Sequence, residues 1–362
     1  MPGLFDSLEL GSLELPNRII MAPLTRGRAG REAIPNELMA RYYAQRAGAG
    51  LIISEATGIS REGLGWPGAP GLWNNAQVDG WSLITDAVHN AGGRMVAQLW
   101  HMGRLVHPDL GLAQPISASE TKAPDFAHTY EGKKPHVEAR AATIRDIRRI
   151  TGDYVCAARK AIAAGFDGVQ IHGANGYLLD QFLRDGANFR SGQYGGSIEN
   201  RLRFVSEVLE AVGDAIGMNR VGIRFSPNIR VQGIEDSDPL ALFTALAVRL
   251  EELKVPWIEL REPHQPTMQG AVPTGPVSQA MRPIYSGAIL LNSDYDGPTA
   301  RARMAEGIAA AISFGRPFIS NPDLVDRIWG GSPLSAADVA TFYSGGAEGY
   351  VDYPTLDEAK AA

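Results

Sequence analysis

The stretch TIRDIRRITGDYVCAARKAIAAGFDGVQIH, from Thr143 to His172, contains one complete helix–strand unit. Thr143 followed by Asp146 is a capping-box pattern that begins a helix, and Gly165 is placed to end it. The short apolar run Gly168–His172 that follows is typical of a buried strand. A helix that leads directly into a buried strand is the unit from which parallel sheets are built.

The same unit recurs along the chain. Pro35 opens another predicted helix that closes near Gly48, and Asp238-Pro239 opens a further one. Eight short apolar runs are typical of strands: Arg18–Met21, Leu51–Glu55, Arg94–Leu99, Gly168–His172, Val221–Phe225, Trp257–Leu260, Ala288–Leu291 and Ala311–Phe314. Eight strands alternating with helices predict an α/β fold, a closed (β/α)8 TIM barrel. An open doubly wound sheet is the alternative, but its G-x-G-x-x-G fingerprint follows none of these strands.

Three segments do not fit the repeat. The alternating sequence LELGSLEL, Leu8–Leu15, predicts an N-terminal β-hairpin, which we expect to close the bottom of the barrel. Residues 102–140, after the third strand, have little helical period and predict a long insertion that caps the top of the barrel. We therefore predict one barrel domain over residues 1–354 and a frayed C-terminal tail over residues 355–362.

The composition excludes several classes of protein. The 362 residues include 34 Lys+Arg and 40 Asp+Glu, and 44% of them are hydrophobic, as in an ordinary globular protein. A net charge of −6 without a basic run argues against a nucleic-acid partner. There is no long apolar run and no basic–apolar leader, so we expect a cytoplasmic protein with no membrane partner. The single cysteine, Cys156, excludes an intrachain disulfide.

Residues that follow the strands at their carboxyl ends are the candidates for an active site, because barrels build their sites there. In this chain they are mostly amides, hydroxyls, guanidinium groups, glycines and prolines. Carboxylate pairs are scarce among them, which argues against a glycosidase. No lysine directly follows a strand, which argues against an aldolase that forms a Schiff base. His101 and His172 lack the further ligands that a metal site needs, so we predict no metal.

The same residues suit a large planar heterocycle with a phosphate tail. Gln98 offers both a donor and an acceptor to a ring edge that alternates N–H and C=O groups. Arg224 would place a permanent cation beside a ring nitrogen that becomes negative on reduction, although a structural ion pair with Glu259 would explain it equally. The loops after strands seven and eight commonly hold phosphate, and Gly315 and Arg316 follow strand eight.

Seven longer motifs occur together over Leu4–Pro354. They are NRIIMAPLTRGRA (Asn17–Ala29), SEATGIS (Ser54–Ser60), AQLWHMGR (Ala97–Arg104), GVQIHGANGYLLDQFLRD (Gly168–Asp185), YGGSIENRLRF (Tyr194–Phe204), FGRPFISNPDL (Phe314–Leu324) and GYVDYP (Gly349–Pro354). With these motifs the chain resembles the Old Yellow Enzyme family of FMN-dependent ene-reductases, in particular bacterial members of the 2-cyclohexenone reductase type. The resemblance implies an NAD(P)H-dependent oxidoreductase that binds FMN non-covalently and reduces electron-poor alkenes, either α,β-unsaturated carbonyl compounds or nitroalkenes.

The resemblance also implies a role for each matching residue. The FMN contacts would be Pro23, Leu24, Thr25, Ala56, Gln98, Arg224, Ser293, Asp294, Gly315 and Arg316. The pocket walls would be Trp66, Trp100 and Tyr350. His172 and Asn175 would bind the activating oxygen of the substrate, and Tyr177 would protonate its α-carbon, for a net trans addition of hydrogen.

Several points stay open. Many relatives have Gly-Gly where this chain has Ser293-Asp294, so phosphate contacts there would come from backbone amides only. His172 taken alone would be interpreted as a core histidine, and Tyr177 as a packing residue. A flavin-binding protein without turnover is the alternative that would not require Tyr177.

The nicotinamide preference and the assembly state are also open. We expect NADPH, with NADH as the alternative, and the choice would depend on whether Lys133, Lys134 or Arg140 reaches the extra phosphate. We expect a monomer or a homodimer whose partners are small-molecule alkenes.

Overall fold

The computed structural model describes residues 2–263 and 275–361, and in it eight parallel strands form a closed barrel. The strands are β1 (Ile19–Met21), β2 (Leu51–Ile53), β3 (Met95–Trp100), β4 (Gly168–His172), β5 (Val221–Phe225), β6 (Trp257–Arg261), β7 (Ala288–Asn292) and β8 (Ala311–Phe314). Each strand pairs with the next, and β8 pairs with β1, where Phe314 lies beside Met21. The predicted TIM barrel is confirmed, and every predicted strand overlaps an observed one.

Helices cover the outside of the barrel. They are α1 (Glu37–Ala44), α2 (Asn75–Asn90), α3 (Ile144–Ala163), α4 (Leu178–Leu183), α5 (Ile198–Ile216), α6 (Pro239–Glu252), α7 (Val277–Met281), α8 (Gly297–Ala305), α9 (Arg316–Ser320), α10 (Leu324–Gly330) and α11 (Leu356–Ala361). The predicted capping box is present, since Asp146 N–H donates to Thr143 Oγ1 at 3.1 Å and Thr143 N–H donates to Asp146 Oδ2 at 2.9 Å. None of the helices among the described residues has the length and apolar character needed to cross a membrane.

The N-terminal hairpin closes the bottom of the barrel as predicted. Its strands, Leu8–Leu10 and Leu13–Leu15, are antiparallel, and their leucines pack in one cluster with Leu51, Trp257 and Ala311 at the amino ends of barrel strands. At the hairpin turn, Gly11 has φ +64°, and a Cβ there would lie 2.2 Å from the carbonyl oxygen of Asn219. This turn therefore requires glycine.

The predicted insertion after β3 lies at the carboxyl end of the barrel. It contains 3-10 turns at Gly103–Leu105 and Pro108–Leu110, a short parallel pair of Ile116–Ser117 with Arg140–Ala141, and a hairpin of Phe126–Thr129 with Gly132–Pro135. This hairpin contacts the loop after β2, in which Thr57–Gly58 pairs with β3. His128 lies against the ring of Trp66 with a centroid distance of 4.2 Å, and the Tyr130 hydroxyl accepts from Gly68 N–H at 3.2 Å.

The C-terminal segment differs from the frayed tail that we expected from its small and polar residues. Helix α11 spans Leu356–Ala361. Thr355 N–H donates to the carboxylate of Glu358 at 2.8 Å, and Leu356 N–H donates to Asp323 at 2.7 Å. These bonds satisfy the first N–H groups of the helix and fasten it to α10. Residue 362 lies outside the described part of the chain.

Candidate active site

Two adjoining cavities lie at the carboxyl ends of the barrel strands, where the sequence predicted the site. We call them the tryptophan cavity, of about 310 Å³, and the arginine cavity, of about 360 Å³. The tryptophan cavity is lined by residues that include Thr25, Trp66 and Tyr177, and the arginine cavity by residues that include Arg224 and Arg261. Both cavities are lined in common by Pro23, Leu24, Arg316 and Tyr343.

Most of the predicted site residues line one of the two cavities. They are Pro23, Leu24, Thr25, Trp66, Asn175, Tyr177, Arg224, Ser293, Asp294, Gly315 and Arg316. Four others are buried next to them, namely Ala56, Gln98, Trp100 and His172. The structure thus brings together residues from the carboxyl ends of seven of the eight strands, because parallel strands present these ends on one rim.

Tyr350 does not line either cavity, and its expected place as a pocket wall is wrong. Its side chain is completely buried, and its ring stacks on Tyr42 at a centroid distance of 4.1 Å. The tyrosine that lines both cavities is Tyr343, which is 52% exposed. Both tyrosines lie in the glycine-rich segment after α10, and the sequence contains no local signal that separates them.

His172, the last residue of β4, is a neutral hydrogen-bond donor in this structure. Its Nδ1 accepts the Ala174 N–H at 3.3 Å, so the ring hydrogen is on Nε2. Burial, together with the cations of Arg224 and Arg261, holds the pKa of His172 well below its usual value of 6.5. The imidazole therefore offers Nε2–H without carrying a charge.

Asn175 has both its backbone and its side chain fixed. Its φ is +56°, a left-handed conformation that asparagine tolerates, and its N–H donates to Ser226 Oγ at 2.8 Å. Its side-chain Oδ1 accepts from Arg261 Nη1 at 2.8 Å. The carboxamide lines the arginine cavity with its Nδ2 as the remaining donor.

The ring of Tyr177 packs edge-on against two buried aromatic rings. Its ring is perpendicular to Trp100 at 4.9 Å and to His172 at 4.8 Å between centroids. Burial raises the pKa of Tyr177 above its usual value, so the phenol keeps its proton at neutral pH. The residue therefore presents a protonated hydroxyl to the tryptophan cavity.

A chain of buried polar side chains runs through the barrel below the cavities. Gln98 Nε2 donates to Gln170 Oε1 at 2.6 Å, and Gln170 Nε2 donates to Glu259 Oε2 at 2.8 Å. Arg224 Nε lies 3.3 Å from the same carboxylate oxygen. The ion pair with Glu259, our alternative explanation of Arg224, is therefore present, and Arg224 lines the arginine cavity as well.

The network holds Arg224 from a second side. Arg224 Nη2 donates to Asn292 Oδ1 at 2.6 Å, and Asn292 Nδ2 donates to the Ser313 carbonyl at 2.9 Å. Ser313 Oγ donates to the other oxygen of Glu259. These bonds give the guanidinium one orientation before any ligand binds.

The arginine cavity carries an excess of positive charge. Arg224, Arg261 and Arg316 line it, and Asp294 is the one acidic side chain among its described lining residues. Arg316 Nη1 lies 3.6 Å from Asp294 Oδ1, but both side chains are largely exposed, so this ion pair contributes little to the stability of the fold. The guanidinium groups of Arg224 and Arg316, with the amides of Gln98 and Asn292, fit an anionic phosphate and a polar ring edge, which are the parts of FMN.

Two of the cations that we considered for nicotinamide selectivity are already paired. Lys134 contacts the carboxylates of Asp109 and Glu131, and Arg140 donates twice to Asp146, at 2.7 and 3.0 Å. Lys133 lies exposed in the hairpin of the insertion. The structure therefore gives no support to recognition of the extra phosphate by Lys134 or Arg140.

The sequence reasoning missed four residues that shape the site. Arg261 directly follows the predicted strand Trp257–Leu260, so the rule of examining strand ends would have found it. Asn292 directly follows the predicted strand Ala288–Leu291, so the same rule reaches it, although only its hydrogen bonds give it a role. Gln170 lies inside a strand, and only its hydrogen bonds indicate a role. Tyr343 follows no strand, and its position depends on contacts made across the barrel.

The sequence and the fold are similar to those of known proteins. The sequence model of the NADH:flavin oxidoreductase / NADH oxidase family matches residues 3–335. The chain is 50% identical to an old yellow enzyme homologue from Zymomonas mobilis, with a TM-score of 0.96 over 98% of this chain and 100% of that one. It is 43% identical to morphinone reductase in complex with tetrahydroNAD, with a TM-score of 0.93 over 99% of each chain. It is 39% identical to 12-oxophytodienoate reductase 1 of Oryza sativa subsp. japonica, over 98% of this chain and 93% of that protein.

Proposed function

The chain belongs to the NADH:flavin oxidoreductase / NADH oxidase family as an Old Yellow Enzyme homologue, and on this premise we propose that it reduces the C=C bond of α,β-unsaturated carbonyl compounds and nitroalkenes. The family relationship confirms the predicted enzyme class, an NAD(P)H-dependent flavin oxidoreductase with FMN as cofactor and a nicotinamide as co-substrate. The substrate class and the roles of individual residues are the proposal.

One observation carries it: the end of β4 and the segment that follows it present two neutral donors and a phenol. His172 offers Nε2–H, Asn175 offers Nδ2–H, and Tyr177 keeps its hydroxyl proton. Two preorganised donors can bind a carbonyl or nitro oxygen and stabilise the charge that grows on it. A neighbouring phenol can act as a general acid.

We assign the FMN contacts to residues that the fold has already oriented. Gln98 and Arg224 would contact the pyrimidine edge, with Ala56 beside them, and the segment Pro23–Thr25 would contact the remaining ring edge. Gly315 and Arg316 would hold the phosphate, together with backbone groups of Ser293 and Asp294. When bound and reduced by NAD(P)H, FMN would supply the hydride for the β-carbon of the alkene.

Side chains of the protein then stabilise the charge on the substrate and supply the proton. His172 Nε2–H and Asn175 Nδ2–H bind the activating oxygen, which polarises the C=C bond and stabilises the enolate-like state of the substrate. Tyr177 donates its proton to the α-carbon, which is basic in that state even though the phenol is a weak acid. Solvent then restores the proton on Tyr177.

The walls of the tryptophan cavity favour a cyclic or otherwise compact substrate. Trp66, Tyr343 and Phe342 supply apolar and aromatic surface, and Trp100 lies behind Tyr177. Such surfaces bind the hydrocarbon part of an enone, while its oxygen needs the polar side at Asn175.

The double variant His172→Ala/Asn175→Ala tests the proposal. Loss of one donor of this type commonly lowers the rate by about 10² to 10³, so the double variant should lose both reduction of 2-cyclohexenone and binding of a phenol. It should still bind FMN and accept electrons from NADPH. Unchanged phenol binding, seen as an unchanged charge-transfer absorbance, would refute the assignment of the pair.

The same assay tests the alternative of a flavin-binding protein without turnover. Under anaerobic conditions NADPH should bleach the yellow wild-type protein, and added enone should restore its colour. Bleaching without any recovery across several cyclic enones and nitroalkenes would favour the binding protein.

A further inference from the structure

Arg261 is the last residue of β6, two residues after Glu259. Successive side chains of a strand point to opposite faces, so these two side chains lie on the same face. Glu259 points into the barrel, where it joins the buried polar network. The register therefore carries Arg261 to the inner rim of the barrel, beside Asn292 of β7.

At that rim Arg261 has one described hydrogen-bond partner. Its Nη1 donates to Asn175 Oδ1 at 2.8 Å, and within residues 2–263 and 275–361 no carboxylate forms an ion pair with it. Burial and, to a smaller extent, the nearby cation of Arg224 lower the pKa of Arg261 to about 10, against an opposing effect of the more distant carboxylate of Asp294. A largely buried cation without a carboxylate partner costs stability, and such a cost suggests a function for this residue.

The hydrogen-bond partner of Arg261, Asn175, indicates what this function is. The two ends of a carboxamide have nearly the same shape, but one only accepts hydrogen bonds and the other only donates them. If the carboxamide of Asn175 were rotated by about half a turn, its oxygen would face the anionic oxygen of the substrate and repel it. A guanidinium has only donors, so it selects the orientation in which Oδ1 faces Arg261 and Nδ2 faces the cavity.

The backbone of Asn175 does not depend on this contact. Its N–H is bonded to Ser226 Oγ at 2.8 Å, and Gly176 N–H is bonded to Asp180 at 2.9 Å. The rotation of the carboxamide is the freedom that remains, and the bond from Arg261 removes it.

We propose that Arg261 is a positioning residue for alkene reduction, which holds the Asn175 carboxamide with its NH₂ group toward the substrate oxygen. This inference rests on the proposed function, because it requires that Asn175 binds that oxygen. It adds a residue outside the motifs that the resemblance supplied. The positive charge of Arg261 also polarises the amide and makes Nδ2–H a stronger donor.

A double-mutant cycle tests the inference with a binding readout. The probe is 4-chlorophenol, and its dissociation constant is measured by calorimetry on FMN-loaded wild type, Arg261→Met, Asn175→Ala and the double variant. We expect Arg261→Met and Asn175→Ala each to weaken binding about tenfold, which corresponds to about 1.4 kcal/mol. Because Arg261 acts through Asn175, the double variant should bind no more weakly than Asn175→Ala alone.

Two further variants sharpen the cycle. Arg261→Lys keeps a cationic donor and should restore part of the affinity, and it replaces Arg261→Met in the cycle if that variant does not fold. Arg230→Met is the matched control, since Arg230 is an exposed cation paired with Glu235 at 3.6 Å and lines neither cavity. It should leave phenol binding unchanged.

Each contrary outcome has a separate meaning. Additive losses in the double variant would show that Arg261 contacts the ligand directly, and no loss in Arg261→Met would show that it is not needed. Either result overturns the inference, as would an equal loss of FMN affinity in a fluorescence titration of Arg261→Met. Full phenol affinity in Asn175→Ala would instead refute the oxygen-binding role of Asn175 in the proposed function.

Discussion

Arg26 joins the loop after β1 to the segment that carries Tyr343, because its Nε donates to the carbonyl of Phe342 at 2.8 Å. Its Nη2 also donates to the carbonyl of Gly349 at 2.9 Å, and its guanidinium carbon lies 5.0 Å from the centre of the Tyr350 ring. Arg28 adds a bond to the Thr341 carbonyl at 2.8 Å. Tyr350 thus supports the cavity wall from behind, while Tyr343 forms its surface.

Replacing Arg26 by Met should destabilise the protein and loosen this wall. The variant removes the short bonds to the carbonyls of Phe342 and Gly349, which keep only the longer bonds from Arg28 Nη1 at 3.2 Å and Thr341 Oγ1 at 3.3 Å. Hydrogen bonds to a charged group are each worth about 1.5 to 3 kcal/mol. We expect a loss of at least that size in the free energy of unfolding, together with a raised KM for enones. Urea titration of Arg26→Met beside Arg41→Met, an exposed arginine on α1, measures the difference; equal stabilities of the two variants would contradict the role of Arg26.

The two tyrosines of the C-terminal segment should behave differently. The Tyr350 hydroxyl is buried without a hydrogen-bond partner among the described residues, so Tyr350→Phe should be neutral or slightly stabilising and leave enone kinetics unchanged. Tyr343→Ala should raise KM for cyclic enones because it removes a cavity wall. The melting temperatures and the steady-state enone kinetics of the two variants measure the difference. A kinetic defect in Tyr350→Phe together with normal kinetics in Tyr343→Ala would show that Tyr350 is the pocket wall after all.

The charges of Arg316 and Asp294 should affect FMN affinity in opposite directions. Arg316→Ala removes a charge-assisted contact worth about 1.5 to 3 kcal/mol, so FMN should bind roughly ten to a hundred times more weakly. Asp294→Asn removes an acidic group 3.6 Å from Arg316 and should strengthen FMN binding. Fluorescence titration of the apoprotein gives both constants. Full flavin retention by Arg316→Ala after dialysis would refute the phosphate assignment.

Tyr177→Phe should separate the two half-reactions. General acid catalysis is worth about 10² to 10⁴ in rate, so reoxidation by 2-cyclohexenone should slow within that range. Reduction by NADPH needs no proton from Tyr177 and should change little. The rate of reoxidation by nitroalkenes should fall less, because their nitronate products are stable enough to take a proton from water. Stopped-flow absorbance follows both steps, and equal losses in both would identify Tyr177 as a packing residue.

The lowered pKa of His172 predicts a loss of stability in acid. The folded protein keeps His172 neutral, whereas the unfolded chain takes up a proton there below about pH 6.5. The unfolded state then binds more protons, so the free energy of unfolding should fall as the pH drops from 7 to 5, by up to about 1.4 kcal/mol per pH unit from this residue.

Urea unfolding at several pH values measures this slope. His172→Asn should make it shallower, and an unchanged slope would contradict the buried neutral state. His136, whose pKa burial lowers to about 4, contributes in the same direction. His136→Gln is therefore the control variant, which should reduce the slope without weakening phenol binding.

The sequence by itself determined the barrel and most of the residues on its rim. The eight apolar runs and the cap at Thr143 are local signals, since strand burial and helix capping depend on neighbours within a few residues. Parallel strands then place their carboxyl ends together, so the strand-end rule found His172, Asn175 and Arg224 without any coordinates.

Only the tertiary structure decided how those side chains are oriented and which of two tyrosines faces the site. Arg261 fixes the carboxamide of Asn175 across 86 positions of sequence, and Arg26 fixes the wall at Phe342 across 316. Tyr343 and Tyr350 have the same side chain in one short segment, and hydrogen bonds from Arg26 and Arg28 determine which of them is buried. Such contacts depend on where distant segments meet in the folded chain, and residue type and periodicity along the sequence carry no record of that.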